Sequence, residues 1–320
     1  MVGKVTPDDI ITASRIPALL GMSPYETPND VLKKCIDAIE GKPRDEFKQN
    51  EAMGWGDRLE PIILTEAVNR IGLKDAKLDY DEAFFHPELT LACSLDGSAA
   101  GEGVLKTDVE RGIYCIGSPT VDITGFGILE AKNTSVQPEE TPAPYRGPLQ
   151  LQAQMMCANA NWGAVCVLYK GGELRIFVYQ SDPQVQKRIA DAIAEFEERK
   201  VNRDWYPPLT SADANTAYAR GEDDLPPVDL SRWDNGEDLL DRLVAAKRAK
   251  VQAEAEIDEC EAGLKELMGA HTIAVGQAGN RKYQVRWPMR RTKAKPERIT
   301  PATPEKTERQ KTLTLKEMDK

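Results

Sequence analysis

The sequence predicts an α/β domain built on a mixed sheet, and three observations predict it. Helical apolar spacing dominates the first seventy residues. Between 77 and 132, short apolar runs alternate with Gly, Pro and Asp, as in strands joined by turns. Helix, strand, hairpin and helix then follow from 149 to about 201, so helices and strands are interleaved along one chain.

The first helix is expected within 8–22, capped by Thr12 or Ser14, with Ile16, Leu19 and Leu20 inward and Gly21 as its stop. Thr27-Pro28-Asn29-Asp30 opens a second, Val31 to Glu40, ended by Gly41 and Pro43. Leu59, Ile62, Ile63, Ala67 and Ile71 set a third over 50–71, with Pro61 marking a kink or a start. Strands are expected at Phe84-Phe85, Leu91–Cys93, Val104-Leu105 and Gly127–Glu130. A polar, proline-rich loop covers 133–148, then a helix runs from Leu149 to Asn159. Ala164–Tyr169 and Leu174–Tyr179 form a hairpin across Gly171-Gly172, and Asp182-Pro183 starts a long helix to about Val201.

The texture changes after Trp205. The expected organisation is a catalytic domain over 1–205, a Pro- and acid-rich linker over 206–236, a helix and β-hairpin appendage over 237–288, and a disordered basic tail over 289–320. The appendage helix has sparse apolar positions, read as a helix packed on one side rather than a coiled coil. Contacts to an oligomer or to a partner are its expected role.

Composition narrows the function. Net charge is −10, yet residues 281–320 alone sum to +8, leaving −18 on the other 280. That excludes a nonspecific nucleic-acid coat but not a DNA enzyme with a local basic surface. Six scattered cysteines without a C-x-x-C pair, and only two histidines, exclude zinc or iron–sulfur spacing and a His-based centre; buried reduced thiols are expected. No apolar run reaches membrane-span length and no signal peptide opens the chain, so a cytoplasmic location is expected.

The chemistry-bearing residues are Asp96, before Gly97, and the run Leu129-Glu130-Ala131-Lys132. Residues two apart in a strand share a face, so Glu130 and Lys132 project together while Ala131 points away. Two carboxylates suit Mg²⁺ or Mn²⁺, and a lysine beside them can orient or deprotonate water. That is equipment for metal-assisted phosphodiester hydrolysis. Blander roles exist: Asp96 as a turn former, Glu130–Lys132 as a surface ion pair, Glu60 as a helix-start acid, Gln150 as a solvated residue.

Five patterns fall in one order: Ile11-Thr12-Ala13-Ser14, Gly54–Glu60, Ala92–Gly97, Leu129–Lys132 and Gln150–Met155. Over about residues 8–205 the array resembles the YqaJ-type viral recombinase nucleases, lambda exonuclease-like members of the PD-(D/E)XK superfamily. The resemblance implies a restriction-endonuclease-like core and Mg²⁺ as cofactor, with Mn²⁺ as an alternative and two ions per site. By the same resemblance, Asp96, Glu130 and the Ala131 backbone carbonyl would ligate metal, and Glu60 would reach it, possibly through water. Lys132 would position or activate the attacking water and Gln150 would help hold it. Ser14 would lie at a 5′-phosphate pocket. The upstream arginine of that pocket is missing here, and Arg15 is the candidate substitute. Tyr145 and Arg146, in the insert before Gln150, are possible DNA contacts.

The implied activity is 5′-to-3′ digestion of linear duplex DNA ends, leaving 3′ overhangs for phage-type recombination. The implied partner is a single-strand annealing protein, the implied assembly a homo-oligomeric ring trimer, and the location a bacterial host cytoplasm if phage encoded. The alternatives are an endonuclease or single-strand nuclease on the same fold, or a noncatalytic DNA-binding or assembly protein.

Overall fold

The computed structural model describes residues 6–43, 50–219 and 225–289. It divides into two compact units, Met1–Ala219 and Arg220–Lys320. Beyond Met289, the expected tail lies outside the described residues.

The first unit opens with β1 (Ile11–Thr12), α1 (Ile16–Leu19), α2 (Pro28–Ile39) and α3 (Glu51–Ile71). Next come β2 (Lys74–Lys77), β3 (Phe84–Phe85), β4 (Leu91–Cys93), β5 (Gly97–Gly101), β6 (Val104–Lys106), β7 (Ile113–Cys115), β8 (Thr120–Asp122) and β9 (Gly125–Thr134). It closes with α4 (Pro148–Ala158), β10 (Trp162–Tyr169), β11 (Glu173–Gln180), α5 (Pro183–Asn202) and α6 (Ser211–Ala217).

Residues 8–22 do not form the continuous helix expected. Ile11 and Thr12 pair in parallel with Leu91 and Ala92 of β4, so long-range pairing overrides the local helical spacing. Only a 3-10 turn at Ala13–Arg15 and the four-residue α1 remain, and Thr12 makes no side-chain cap. The second helix matches its signal closely: Thr27 and Asp30 complete a reciprocal capping box. In α3 the Asn50 side chain accepts from the Met53 amide at 2.9 Å, so the helix starts there and passes through Pro61.

The central sheet has six strands in the order β2-β5-β9-β10-β11-β7. Neighbours β9–β10 and β11–β7 are parallel and the other pairs antiparallel, which makes the sheet mixed as expected. Strand alternation sorts the core onto its two faces. Ile128 joins Val165, Phe177 and residues of α1, α2, α4 and α5, whereas Leu129 joins Trp162, Ala164 and residues of α3. Gly127 is required by this packing: an added Cβ would lie 2.1 Å from the Trp162 ring. A smaller sheet, β1-β4-β3, packs beside it.

The stretch expected as a linker begins folded. Asn29 and the Tyr206 backbone exchange two hydrogen bonds, at 2.8 and 3.0 Å. The buried Asp213 of α6 accepts from the Thr27 hydroxyl at 2.8 Å and the Leu209 amide at 2.7 Å. These polar ties between α2 and residues 206–213 have no apolar period to announce them, which is why the segment reads as a linker.

In the second unit, α7 (Gly236–Met268) precedes β12 (Ile273–Ala278) and β13 (Arg281–Arg286), an antiparallel hairpin turned at Gly279-Asn280. Most of the large apolar side chains of α7 are exposed. Cysteines 35, 93, 157 and 166 are buried as expected, but Cys260 is exposed on α7 and Cys115 only partly covered. Among the described residues no helix is long and apolar enough to cross a membrane.

Candidate active site

Strand pairing brings the two acids together. Gly97 of β5 faces Leu129 of β9 in antiparallel register, so Asp96, one residue earlier, meets the next residues of β9. The Ala131 amide donates to Asp96 Oδ2 at 2.9 Å. Gly97 admits no side chain easily. A Cβ there would stand 3.0 Å from a Leu64 methyl, 3.1 Å from Leu78 and 3.3 Å from the Lys77 carbonyl. The glycine after Asp96 therefore serves close packing of β5 rather than a free turn.

Glu130 is 1 % exposed, and both of its oxygens are engaged. Lys132 Nζ pairs with Oε1, and Gln154 Nε2 donates to Oε2 at 2.6 Å. Lys132 also donates to Gln150 Oε1 at 3.2 Å. Glu130, Lys132, Gln150 and Gln154 thus form one hydrogen-bonded group, with α4 covering the face that Glu130 and Lys132 share, and Asp96 is tied to that strand through the Ala131 amide. Glu60, half-buried on α3, belongs to the same electrostatic cluster. It lines a cleft of about 360 Å³ together with Asn50, Met53, Asp57, Lys132 and Asn133.

Gln154 is the residue that the sequence reading left without a role. It is fully buried, and its Nε2 also reaches the Ser94 carbonyl at 3.2 Å. Its spacing of four from Gln150 places both on one helix face. That was the available signal, together with the implausibility of a solvated Gln on an apolar helix.

The charges are unbalanced. Three acids surround one ammonium group. Burial, and then the neighbouring Glu130, push the Asp96 carboxyl well above the usual range, with Lys132 opposing. Glu60 is raised for the same two reasons in the same order. Burial pulls the Lys132 ammonium down, but Glu130 and Asp96 outweigh it and leave its pKa raised. Among the described residues no three His, Cys, Asp or Glu side chains already form a metal cage. The donors nevertheless fit a hard divalent cation: they are oxygen atoms carrying excess negative charge, and Gln154 Oε1 is buried without a protein partner. Of the implied ligand Ala131, it is the amide that contacts Asp96.

The remaining candidates have other partners. Ser14 is exposed, its hydroxyl 3.2 Å from that of Thr12. Arg15 turns to the Asp8 carbonyl at 3.5 Å, the Asp8 carboxylate at 4.0 Å and the Cys35 sulfur at 3.7 Å. Arg146 is paired with Glu139 and donates to the Tyr145 hydroxyl at 3.0 Å, while Tyr145 packs edge-on to Tyr25. Tyr169 and Arg175 also bind Glu139, so the insert before α4 is tied down.

A mixed sheet between helices, with an acid at the head of one strand and Glu-x-Lys on its neighbour, is the arrangement that the resemblance to PD-(D/E)XK nucleases led one to expect. Within that class, residues 7–161 match the YqaJ-like viral recombinase domain. Over those residues the chain is similar to that family, as its motifs led one to expect. Among curated proteins no relative reaches significance.

The crystal structure of an alkaline exonuclease, LHK-Exo, from Laribacter hongkongensis is similar at 16 % identity and a TM-score of 0.44, covering 62 % of this chain and 91 % of that one. LHK-Exo in complex with dAMP gives the same identity and coverage with a TM-score of 0.45. The SSO0001 structure is similar at 10 % identity and a TM-score of 0.36, covering 67 % and 86 %. Likenesses this remote add nothing to the reading of the site.

Proposed function

We propose that the chain is a Mg²⁺-dependent deoxyribonuclease that digests one strand of linear duplex DNA from its 5′ end and leaves 3′ overhangs. One observation carries the reading: Glu130, Lys132 and Gln150 are hydrogen-bonded together where Lys132 lines a cleft, and Asp96 is tied to the same strand through the Ala131 amide. A surface ion pair would not be buried on its acid side, and a turn-forming Asp would not bond the strand that bears the second acid.

In this reading Asp96, Glu130 and the Ala131 carbonyl hold the metal, two ions by resemblance, and Glu60 completes the shell through water. Bound there, the ion supplies positive charge to the scissile phosphate and a more acidic water. Gln154 fixes one Glu130 oxygen, which keeps the carboxylate aimed. Lys132, kept as the ammonium by Glu130 and Asp96 and steadied by Gln150, orients the attacking water. Ser14 and Arg15 receive the 5′-phosphate. That role requires Arg15 to exchange its Asp8 contacts for the phosphate, and Arg146 would have to leave Glu139 to touch DNA. A ring trimer, and a single-strand annealing protein that takes the overhang, complete the proposal.

The test is gel analysis of 5′-labelled and 3′-labelled linear duplexes with and without Mg²⁺. The proposal expects immediate release of the 5′ label and late loss of the 3′ label, only with metal. Early release of the 3′ label would overturn the polarity. The engagement of Arg15 with Asp8 favours one second reading, an endonuclease on the same fold that needs no free end. Covalently closed duplex decides between them: it survives an exonuclease and is cut by an endonuclease.

A further inference from the structure

The long helix of the second unit presents a seam that is mostly exposed among the described residues, with Leu243 half-buried. α7 is continuous for 33 residues, roughly 50 Å at 1.5 Å per residue. Along it Leu239, Leu243, Ile257, Cys260, Leu264 and Leu267 stand on one line of alternating four- and three-residue steps. Ala246 and Ala253 occupy two more steps of that line, and Lys250 the remaining one. This is heptad spacing: Leu243, Lys250, Ile257 and Leu264 share one core position, and Leu239, Ala246, Ala253, Cys260 and Leu267 share the other. Ile257 is 58 % exposed and Leu267 85 % exposed. Among the described residues most of this seam is thus exposed, where packing on one side is expected from the sequence.

We propose that α7 pairs with α7 of a second copy of this chain as an antiparallel two-stranded coiled coil. Charge selects both the occupant and the direction. In a parallel pair each Lys250 would share a core layer with the other Lys250, Arg242 would face Lys247, and Glu256 would face Glu261, so like charges would meet at three levels. Reversing one helix removes all three conflicts. With Leu243 opposite Cys260 and Ala246 opposite Ile257, each Lys250 meets the small Ala253 of the second copy, where its stem can lie flat and its ammonium reach outward. The flanking positions then bring Lys247 to Glu254 of the second copy, and two-fold symmetry makes that contact twice. Glu254 already has Lys250 of its own helix at 3.6 Å, so the two helices share one network of alternating charge. Sliding the pair by one heptad would instead set Glu254 against Glu254, which fixes the register.

Cys260 makes the geometry testable in the full chain, because it is the exposed cysteine of the described residues while four of the others are buried. In the proposed register it lies opposite Leu243 of the second copy, and two Cys260 thiols are far apart. Under diamide, on a non-reducing gel, wild type is expected to run as one chain and Leu243→Cys as two linked chains. By light scattering, Ile257→Asp is expected to halve the mass in solution, the substituted side chain being 58 % exposed within its own copy. Direct linkage of wild type through Cys260 would overturn the antiparallel direction. Unlinked Leu243→Cys, or an Ile257→Asp mass equal to wild type, would overturn self-pairing and leave the seam to a different protein. None of these readouts depends on the nuclease activity.

Discussion

Asp96→Asn separates the cost of the acidic cluster from its use. Asp96 is half-buried beside Glu130, and its ionised form is unfavourable without a cation. The amide keeps an oxygen to accept from Ala131 N–H, so the 2.9 Å hydrogen bond survives. What is lost is one like charge beside a buried carboxylate, on the order of 1–2 kcal/mol of repulsion and desolvation. For a unit of this size each kcal/mol moves the midpoint by about 2–4 °C, so the variant should melt roughly 2–8 °C above wild type in EDTA. Mg²⁺ should reverse the order. A ligand at a hundred times its Kd adds about 2.7 kcal/mol to the fold that binds it, and only wild type retains both acids. Thermal melts across a Mg²⁺ titration measure both effects. A variant that melts below wild type in EDTA, or that gains as much from Mg²⁺ as wild type does, would refute the reasoning.

The same cluster sets a pH dependence. Asp96 and Glu60 have raised pKa values in the fold, so their contribution is fully present below the ordinary carboxylate range and is lost as pH rises through the raised values. Metal-free wild type should therefore lose stability from mildly acid to neutral pH, and Asp96→Asn should flatten that slope in parallel melts. Gln154→Leu deprives Glu130 Oε2 and the Ser94 carbonyl of their donor; chemical denaturation should register a loss of about 1–3 kcal/mol, and an unchanged midpoint would contradict the assigned bonds. Gly127→Ala drives a methyl group into the Trp162 ring and should abolish soluble folded protein at 37 °C, read by far-UV circular dichroism. Retention of wild-type stability there would mean that the ring has room to move.

Much of the fold was legible because its strong signals are local. Thr27 to Asp30 carried a capping box, Gly171-Gly172 a hairpin, and Ala164–Tyr169 a buried run that became the centre of the sheet. The central pair of the site was legible for the same reason: strand alternation alone puts Glu130 and Lys132 on one face. Non-local pairing was not legible. Nothing near Ile11 signals Leu91, so the first segment read as helix. Nothing near Tyr206 signals Asn29, so a folded stretch read as linker. Gln154 was hidden differently. Its spacing was visible, but only the packing of α4 over β9 reveals that it is buried against Glu130.

The account turns on Lys132 acting at a metal held by Asp96 and Glu130. Its most direct test is Mg²⁺-dependent degradation of a linear duplex by Lys132→Met, with Mg²⁺-induced thermal stabilisation measured on the same preparation. The account predicts that hydrolysis is lost while the metal shift persists. Hydrolysis at the wild-type rate would contradict it.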